Sequence, residues 1–193
     1  MIGGVAVAHR SVVNLAAALW DGVFSRAARL ERATVNASLS FDSSVKQLTL
    51  LLRGVALDIV PDEVKRDPAA FVERYRKLGY DAVDCTPSQL KEWIQAGLLE
   101  QGSPERPTLL LIGGETIPQS MWQALSTDEW LAFNVYGPTE ATVDATVGPP
   151  EQATPSIGRP IANARIYPLD ASGNPVPQGV AGELYIGGAG VAR

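Results

Sequence analysis

The stretch Trp130-Leu-Ala-Phe-Asn-Val-Tyr-Gly-Pro-Thr-Glu-Ala-Thr142 decides how the rest of the chain is read. Residues 130–133 are an apolar run of the kind that forms a buried strand. The run breaks at Gly137-Pro138, a turn pair. Two hydroxyls and one carboxylate follow, Thr139, Thr142 and Glu140. A strand end that presents an aromatic face, a hydroxyl and an acid suits a nucleotide. Tyr136 can stack on a base, and Thr139 can hydrogen-bond a phosphate oxygen. Glu140 can hold Mg²⁺, a hard cation that prefers oxygen ligands. A plain β-turn with a helix cap would also use Thr and Glu, but it does not ask for this succession of residue types.

Outward from that stretch, short β-rich runs alternate with amphipathic helical runs. The pattern predicts strands at 34–39, 56–60, 82–85, 108–112 and 132–135, and helices at 11–30, 45–52, 68–78, 88–96 and 118–125. Such alternation implies βαβ units, a parallel sheet and right-handed crossovers. Ligands of these sheets bind beyond the carboxyl ends of the strands, where Asp42, Asp84, Gly113 and Val135 fall. After Thr154, Pro, Gly and short alternating runs at 165–169 and 183–186 read as antiparallel strands. The expected fold is therefore α/β, a flavodoxin-like parallel sheet flanked by helices, then a short antiparallel β segment. The units divide as 1–154 and 155–193.

Composition excludes several classes. A chain of 193 residues with 46% hydrophobic content has room for one sizeable core. The net charge of −5 is spread over interspersed acids and bases, which argues against nucleic acid and membrane as partners. Apolar runs such as 48–52 and 108–112 are too short to span a bilayer, and the amino terminus lacks the features of a signal peptide. The single cysteine, Cys85, excludes an internal disulfide and reads as a buried structural thiol, as fits the reducing cytoplasm.

Four motifs together resemble the adenylate-forming enzymes, and within them the amino-acid adenylation domains of nonribosomal peptide synthetases. Residues 134–142 are the first. Ser38-Leu-Ser-Phe-Asp-Ser-Ser44 is similar to the family's motif around a Phe-Asp pair. Gly182-Glu-Leu-Tyr-Ile-Gly-Gly-Ala-Gly-Val-Ala-Arg193 is similar to its Gly-rich strand motif. Gly4-Val-Ala-Val-Ala-His-Arg-Ser11 is similar to the segment after its phosphate loop. The motifs follow the family's order and cover essentially the whole chain. The resemblance implies ATP and Mg²⁺ as cofactors. It implies catalytic roles for Thr139 and Glu140, with Glu140 the metal ligand. Gly114, Glu115, Asn134, Tyr136, Gly137 and Thr139 would serve the nucleotide. The partners it implies are a carrier protein, a condensation domain and the remainder of the adenylation domain with its C-terminal subdomain. The family also has a phosphate loop before the Gly4 segment, and after Arg193 a ribose-binding Asp and a subdomain bearing the catalytic Lys. The chain is thus expected to be a central piece, inactive alone, whose tail belongs to an incomplete barrel and is poorly supported. His9, the only histidine, is expected to be structural.

By the same resemblance the amino-acid pocket falls on Asp42, Ser43, Lys46, Asp84, Leu111, Gly113, Val135, Val143 and Asp144. Asp42 opens a helix, where an N-cap alone would contribute about 1 kcal/mol. The resemblance gives it the α-ammonium of the substrate, and both roles can coexist. Lys46 is four residues on, on the same helix face. It forms either an exposed ion pair with Asp42 or a second grip, on a side-chain carboxylate roughly 6 Å from the first. The set is similar to that of glutamate-activating domains, with Ser43 where Ala is usual. Asp84 and Asp144 either hold the Lys46 ammonium or pair with an amide, so glutamine competes closely and a basic amino acid more distantly. The expected reaction joins the substrate carboxylate to the α-phosphate of ATP and passes the aminoacyl group to a carrier-protein thiol. The alternatives are a non-catalytic recognition subdomain, and an acyl- or aryl-acid ligase, against which Asp42 argues.

Overall fold

A computed structural model of the chain describes residues 4–99, 108–125, 130–148 and 153–193. Helix α1 (His9–Gly22) buries Ser11, Leu15, Ala18 and Leu19, the spacing of one helical face. Strand β1 (Arg32–Val35) leads to α2 (Ser43–Thr49), and β2 (Ala56–Ile59) to the short α3 (Asp62–Lys65) and to α4 (Pro68–Leu78). Then come β3 (Ala82–Cys85), α5 (Pro87–Gln95), β4 (Thr108–Gly113), α6 (Gln119–Ala124) and β5 (Trp130–Tyr136). The chain finishes with β6 (Thr146–Gly148), β7 (Arg159–Pro160), β8 (Ala164–Leu169) and β9 (Glu183–Gly188).

Seven strands form one sheet in the order β2-β1-β3-β4-β5-β6-β7. The first five are parallel, and β6 and β7 add antiparallel at one edge. The order 2-1-3-4-5 is the flavodoxin-like winding. β8 and β9 pair antiparallel as a separate sheet. The expected α/β class and the antiparallel pair at 165–169 and 183–186 are thus observed; two short strands not expected, β6 and β7, extend the main sheet.

Both sheet faces are covered. Val83, Cys85, Leu110, Ile112, Trp130 and Ala132 meet the layer of α4, α5 and α6, where Phe71 and Trp93 stack 3.9 Å apart. The alternate residues Ala82, Leu109, Leu111, Phe133 and Val135 meet Leu15, Leu19 and Leu50 from α1 and the end of α2. Helix ends follow local chemistry. Asp67 accepts hydrogen bonds from Ala69 N and Ala70 N ahead of Pro68, and Gly79 closes α4 at φ 61°. Thr86 and Gln89 make a capping box at α5.

Two expected elements shift. The helix expected at 11–30 ends at Gly22, because Val23 and Phe24 turn inward to the core through a 3-10 turn at Phe24–Arg26. The strand expected at 34–39 is Arg32–Val35. Beyond it Asn36 leaves the ladder and donates through Nδ2 to the Asp84 carbonyl at 2.7 Å.

Candidate functional site

In a 2-1-3-4-5 sheet the winding reverses between β1 and β3, and a crevice opens beyond their carboxyl ends. A cavity of about 520 Å³ lies there. Strand parity explains its lining. Register pairs Asp84 with Leu111 and Gly113 with Val135, so all four stand on the face covered by α1 and α2. Helix α2 begins just after the β1 loop and carries Ser43 and Lys46 into the same space. Asp42, Ser43, Lys46, Asp84, Gly113, Val135, Val143 and Asp144 all border the cavity. Leu111, also expected there, borders instead a narrow gap beneath Lys46 and Asp84.

The floor is an ion cluster. Lys46 is 3% exposed. Its Nζ lies 3.0 Å from Asp84 Oδ1 and 3.2 Å from Asp144 Oδ2. Of the arrangements considered, the exposed pair of Lys46 with Asp42 is not made, and the hold of Asp84 and Asp144 on the ammonium is. The reach of the lysine stem into the cavity places its charge between two acids brought in by β3 and by the segment after β5. Burial acts to lower the Lys46 ammonium, but the negative charges of Asp144 and Asp84 outweigh it and hold the group above its ordinary value. Burial pushes both Asp84 and Asp144 upward, with Lys46 pulling the other way. Gln47, the neighbour of Lys46, donates through Nε2 to Asp84 Oδ2 at 3.1 Å and to Asn36 Oδ1 at 3.3 Å. Asp144 Oδ2, although in ion-pair contact, has no hydrogen-bond partner of good geometry among the described residues. Gln47 and Asn36 were missed by sequence reading. Neither carries a motif or spacing signal in the sequence; their place follows from burial of Asn36, Lys46 and Gln47 together in the folded chain.

At the mouth, Asp42 occupies the first position before α2, yet its side chain makes no cap hydrogen bond. Its carboxylate is half-buried beside the exposed ring of Phe41. The cap role considered from sequence is not used. On the far side, residues 139–141 form a 3-10 turn with Thr139 and Glu140 exposed. Tyr136 is 39% exposed. Gly114 and Gly137 border the cavity. A Cβ on Gly137 would lie 2.5 Å from the Val143 carbonyl oxygen, so only glycine lets the 142–145 segment fold back so closely. Asn134 is buried and donates through Nδ2 to the Ser156 carbonyl at 3.0 Å. Glu115 accepts from the hydroxyl and backbone N–H of Ser88 at the start of α5, with Oγ at 2.5 Å. His9 is exposed at the first turn of α1 beside Arg10. Cys85 is buried, and burial raises its thiol well above the ordinary value.

A flavodoxin-like sheet thus carries a cavity with charged groups at its switch point, and the turn bearing Thr139 and Glu140 lies between two residues of its lining, Gly137 and Val143. The chain belongs to the family described as AMP-binding enzyme, whose model matches residues 4–193. It is 43% identical over 193 residues to the AMB antimetabolite synthetase AmbE of Pseudomonas aeruginosa, covering 98% of this chain and 9% of that protein. It is 39% identical over 204 residues to surfactin synthase subunit 1 of Bacillus subtilis, covering 98% of this chain and 6% of that protein. A holo four-domain nonribosomal peptide synthetase, solved bound to AMP and glycine, superimposes with a TM-score of 0.86 at 28% identity, over 98% of this chain and 14% of that one. The chain thus spans a small part of the relatives it matches. Among the described residues no helix is long and apolar enough to cross a membrane.

Proposed function

We propose that this chain is the amino-acid-selecting part of an adenylation domain that activates L-glutamate with ATP. The product is glutamyl-AMP, for loading on a carrier-protein thiol and use by a condensation domain in the cytoplasm. The observation that carries the reading is the buried ammonium of Lys46 at the cavity floor, one helical turn from the uncapped carboxylate of Asp42. An ammonium has three N–H donors. Two face Asp84 and Asp144, which leaves the third for a substrate carboxylate. Burial raises both aspartates against the pull of Lys46. Asp42 pairs with the α-ammonium by a charge-assisted contact. The division into residues 1–154 and 155–193 is retained in this reading, with β7 the strap that crosses from one to the other.

A second reading, glutamine, is favoured by one observation. Asp144 Oδ2 is buried without a hydrogen-bond partner among the described residues. If it is ionised, it accepts an N–H of a carboxamide whose oxygen faces Lys46.

The chemistry asks little of a base, because the substrate carboxylate is itself the nucleophile. One carboxylate oxygen bonds to the α-phosphorus of ATP, and the bond to the bridging oxygen breaks to release pyrophosphate. The chain's task is positioning. The cavity fixes the amino acid by Asp42 and Lys46. The exposed ring of Tyr136 offers a stacking face for the base, and the Asn134 carbonyl oxygen offers an acceptor for its amino group. The Thr139 hydroxyl faces the phosphates. The donor set at this rim fits Mg²⁺. Glu140 is an exposed carboxylate, no group of three metal-ligating side chains occurs among the described residues, and Mg²⁺ commonly takes one or two carboxylates and fills its shell with phosphate and water. When bound, the ion would neutralise phosphate charge. That the structural relative was solved with AMP and glycine is in keeping with these ligands. The test is amino-acid-dependent exchange of pyrophosphate into ATP by the full-length protein across the common amino acids. Glutamate should lead and glutamine follow; a leading apolar amino acid defeats the reading.

A further inference from the structure

Thr142 lies between the nucleotide turn and the pocket wall, in a conformation that β-branched residues avoid. Its φ is 60°, and that of Val143 is 70°. Two successive non-glycine residues with positive φ are strained and persist only where the surroundings impose them. Asp144 N donates to the Thr142 carbonyl at 2.9 Å, closing a tight turn about Val143. The imposing contacts come from the Gly-rich segment after β9. The Thr142 hydroxyl, in a side chain 2% exposed, donates to the Gly190 carbonyl at 2.6 Å. Two residues on, Ala192 N donates to the Glu140 carbonyl at 2.7 Å. A Cβ on Gly190 would lie 2.7 Å from the Ala141 carbonyl oxygen, so the two backbones meet only because that residue is glycine.

We infer that Thr142 is a positioning residue: by anchoring on Gly190 it fixes Thr139 and Glu140 on one side and Val143 and Asp144 on the other in one rigid turn, so that the nucleotide end and the amino-acid end of the site are set together. Among the described residues the Thr142 hydroxyl supplies the side-chain tether of the strained pair, beside the backbone bond from Ala192 N to the Glu140 carbonyl. Without the hydroxyl, the left-handed pair relaxes, and both ends move. The segment around Gly190 thereby acts on a site it does not line.

This inference rests on the adenylation reading, and one series of measurements separates the two. Pyrophosphate exchange by the full-length protein is measured with ATP and glutamate varied in turn, for wild type, Thr142→Val, Thr142→Ser and Gly190→Ala. Thr142→Val keeps the branched shape and loses the donor. It should raise both KM values by roughly fivefold, the effect of one lost buried hydrogen bond. Thr142→Ser should bring both back to within about twofold of wild type. Gly190→Ala, which pushes the anchor away, should repeat the paired rise, and it carries the test if Thr142→Val yields no soluble protein. A residue that merely supports folding lowers the rate per total enzyme and leaves both KM values alone. That result, or a rise in one KM without the other, overturns the proposal. A wild type that exchanges no pyrophosphate with any amino acid overturns the adenylation reading, and the proposal falls with it.

Discussion

Replacing Lys46 by Met removes the one cation that lines the cavity among the described residues and keeps a side chain of similar length. Nζ stands 3.0 Å from Asp84 and 3.2 Å from Asp144, and the two acidic side chains are 11% and 4% exposed. The variant must therefore either hold two buried carboxylates without a counter-ion or take up a proton. Removing one partner of a buried ion cluster costs about 3–5 kcal/mol. The pH dependence has a definite sign. Burial already holds both aspartates above their ordinary value, and Lys46 pulls them down; without it they rise further. A carboxyl whose folded-state pKa exceeds its unfolded value near 4 makes the fold lose stability as pH rises through the interval between the two. The deficit of Lys46→Met should be largest at neutral pH. It should narrow on acidification by up to about 1.4 kcal/mol per pH unit for each proton bound. Urea denaturation of wild type and variant, followed by tryptophan fluorescence between pH 5 and 8, reads this out. A gap below about 1 kcal/mol at pH 7, or one that does not change with pH, would show that the floor is solvated and that Lys46 is not its counter-ion.

Three further outcomes are expected. Asp42→Ala should abolish exchange with every amino acid and change stability by less than about 0.5 kcal/mol, since the side chain caps nothing; near-normal exchange would remove Asp42 from the site. Glu140→Gln should raise the Mg²⁺ requirement for exchange and leave amino-acid binding without ATP unaltered, because Glu140 is exposed and does not border the cavity; titration of both ligands checks it. Asp58→Asn breaks the paired contact with Arg74, whose hydrogen bonds hold Asp58 below its ordinary value. It should cost about 1–2 kcal/mol after allowance for solvent screening. That contribution is present above pH 4 or so and vanishes as pH falls through the folded-state value, so denaturation at pH 7 and pH 3 should differ in the size of the effect.

Sequence patterns served best where local chemistry and burial agree. The helix expected at 68–78 and the strand expected at 82–85 are found with those bounds, because a capping Asp67, a first-turn Pro68 and a closing Gly79 mark the one, and Ala82, Val83 and Cys85 are buried on both faces of the other. Strands β6 and β7 escaped because three and two residues are too few to show alternation; β6 exists through pairing with β5, and β7 through pairing with β6. The helix expected at 11–30 was overextended since an apolar Val23 and Phe24 look alike whether a helix continues or bends into the core. Most residues that border the cavity were legible in the sequence, whereas the hold of Asp84 and Asp144 on Lys46 was legible only as one of two alternatives. Lys46 and Asp42 are neighbours along a helix, and local rules pair them; the observed partners of Lys46 come from β3 and from beyond β5. No spacing rule reports a pairing made by sheet order.

The floor also predicts how the site can be changed. Lys46, Asp84 and Asp144 form one electrostatic unit, so replacing any one of them alone strands buried charge and should impair both fold and activity. Replacing all three at once strands none. Buried ion clusters exchanged for apolar side chains of similar volume are often neutral or stabilising, and Gln47, which donates to Asp84, still has Asn36 Oδ1 at 3.3 Å as an acceptor. The variant Lys46→Met, Asp84→Leu, Asp144→Leu should therefore unfold within about 1 kcal/mol of wild type, where Lys46→Met alone loses several. With Asp42 untouched it should still grip an α-ammonium. Its exchange activity should leave glutamate and glutamine for an unbranched apolar amino acid, since a carboxylate or carboxamide set against the new floor finds no partner. If the triple variant is as unstable as Lys46→Met, the three residues do not act as a unit. If it is stable and still prefers glutamate, the side chain of the substrate is read elsewhere in the cavity.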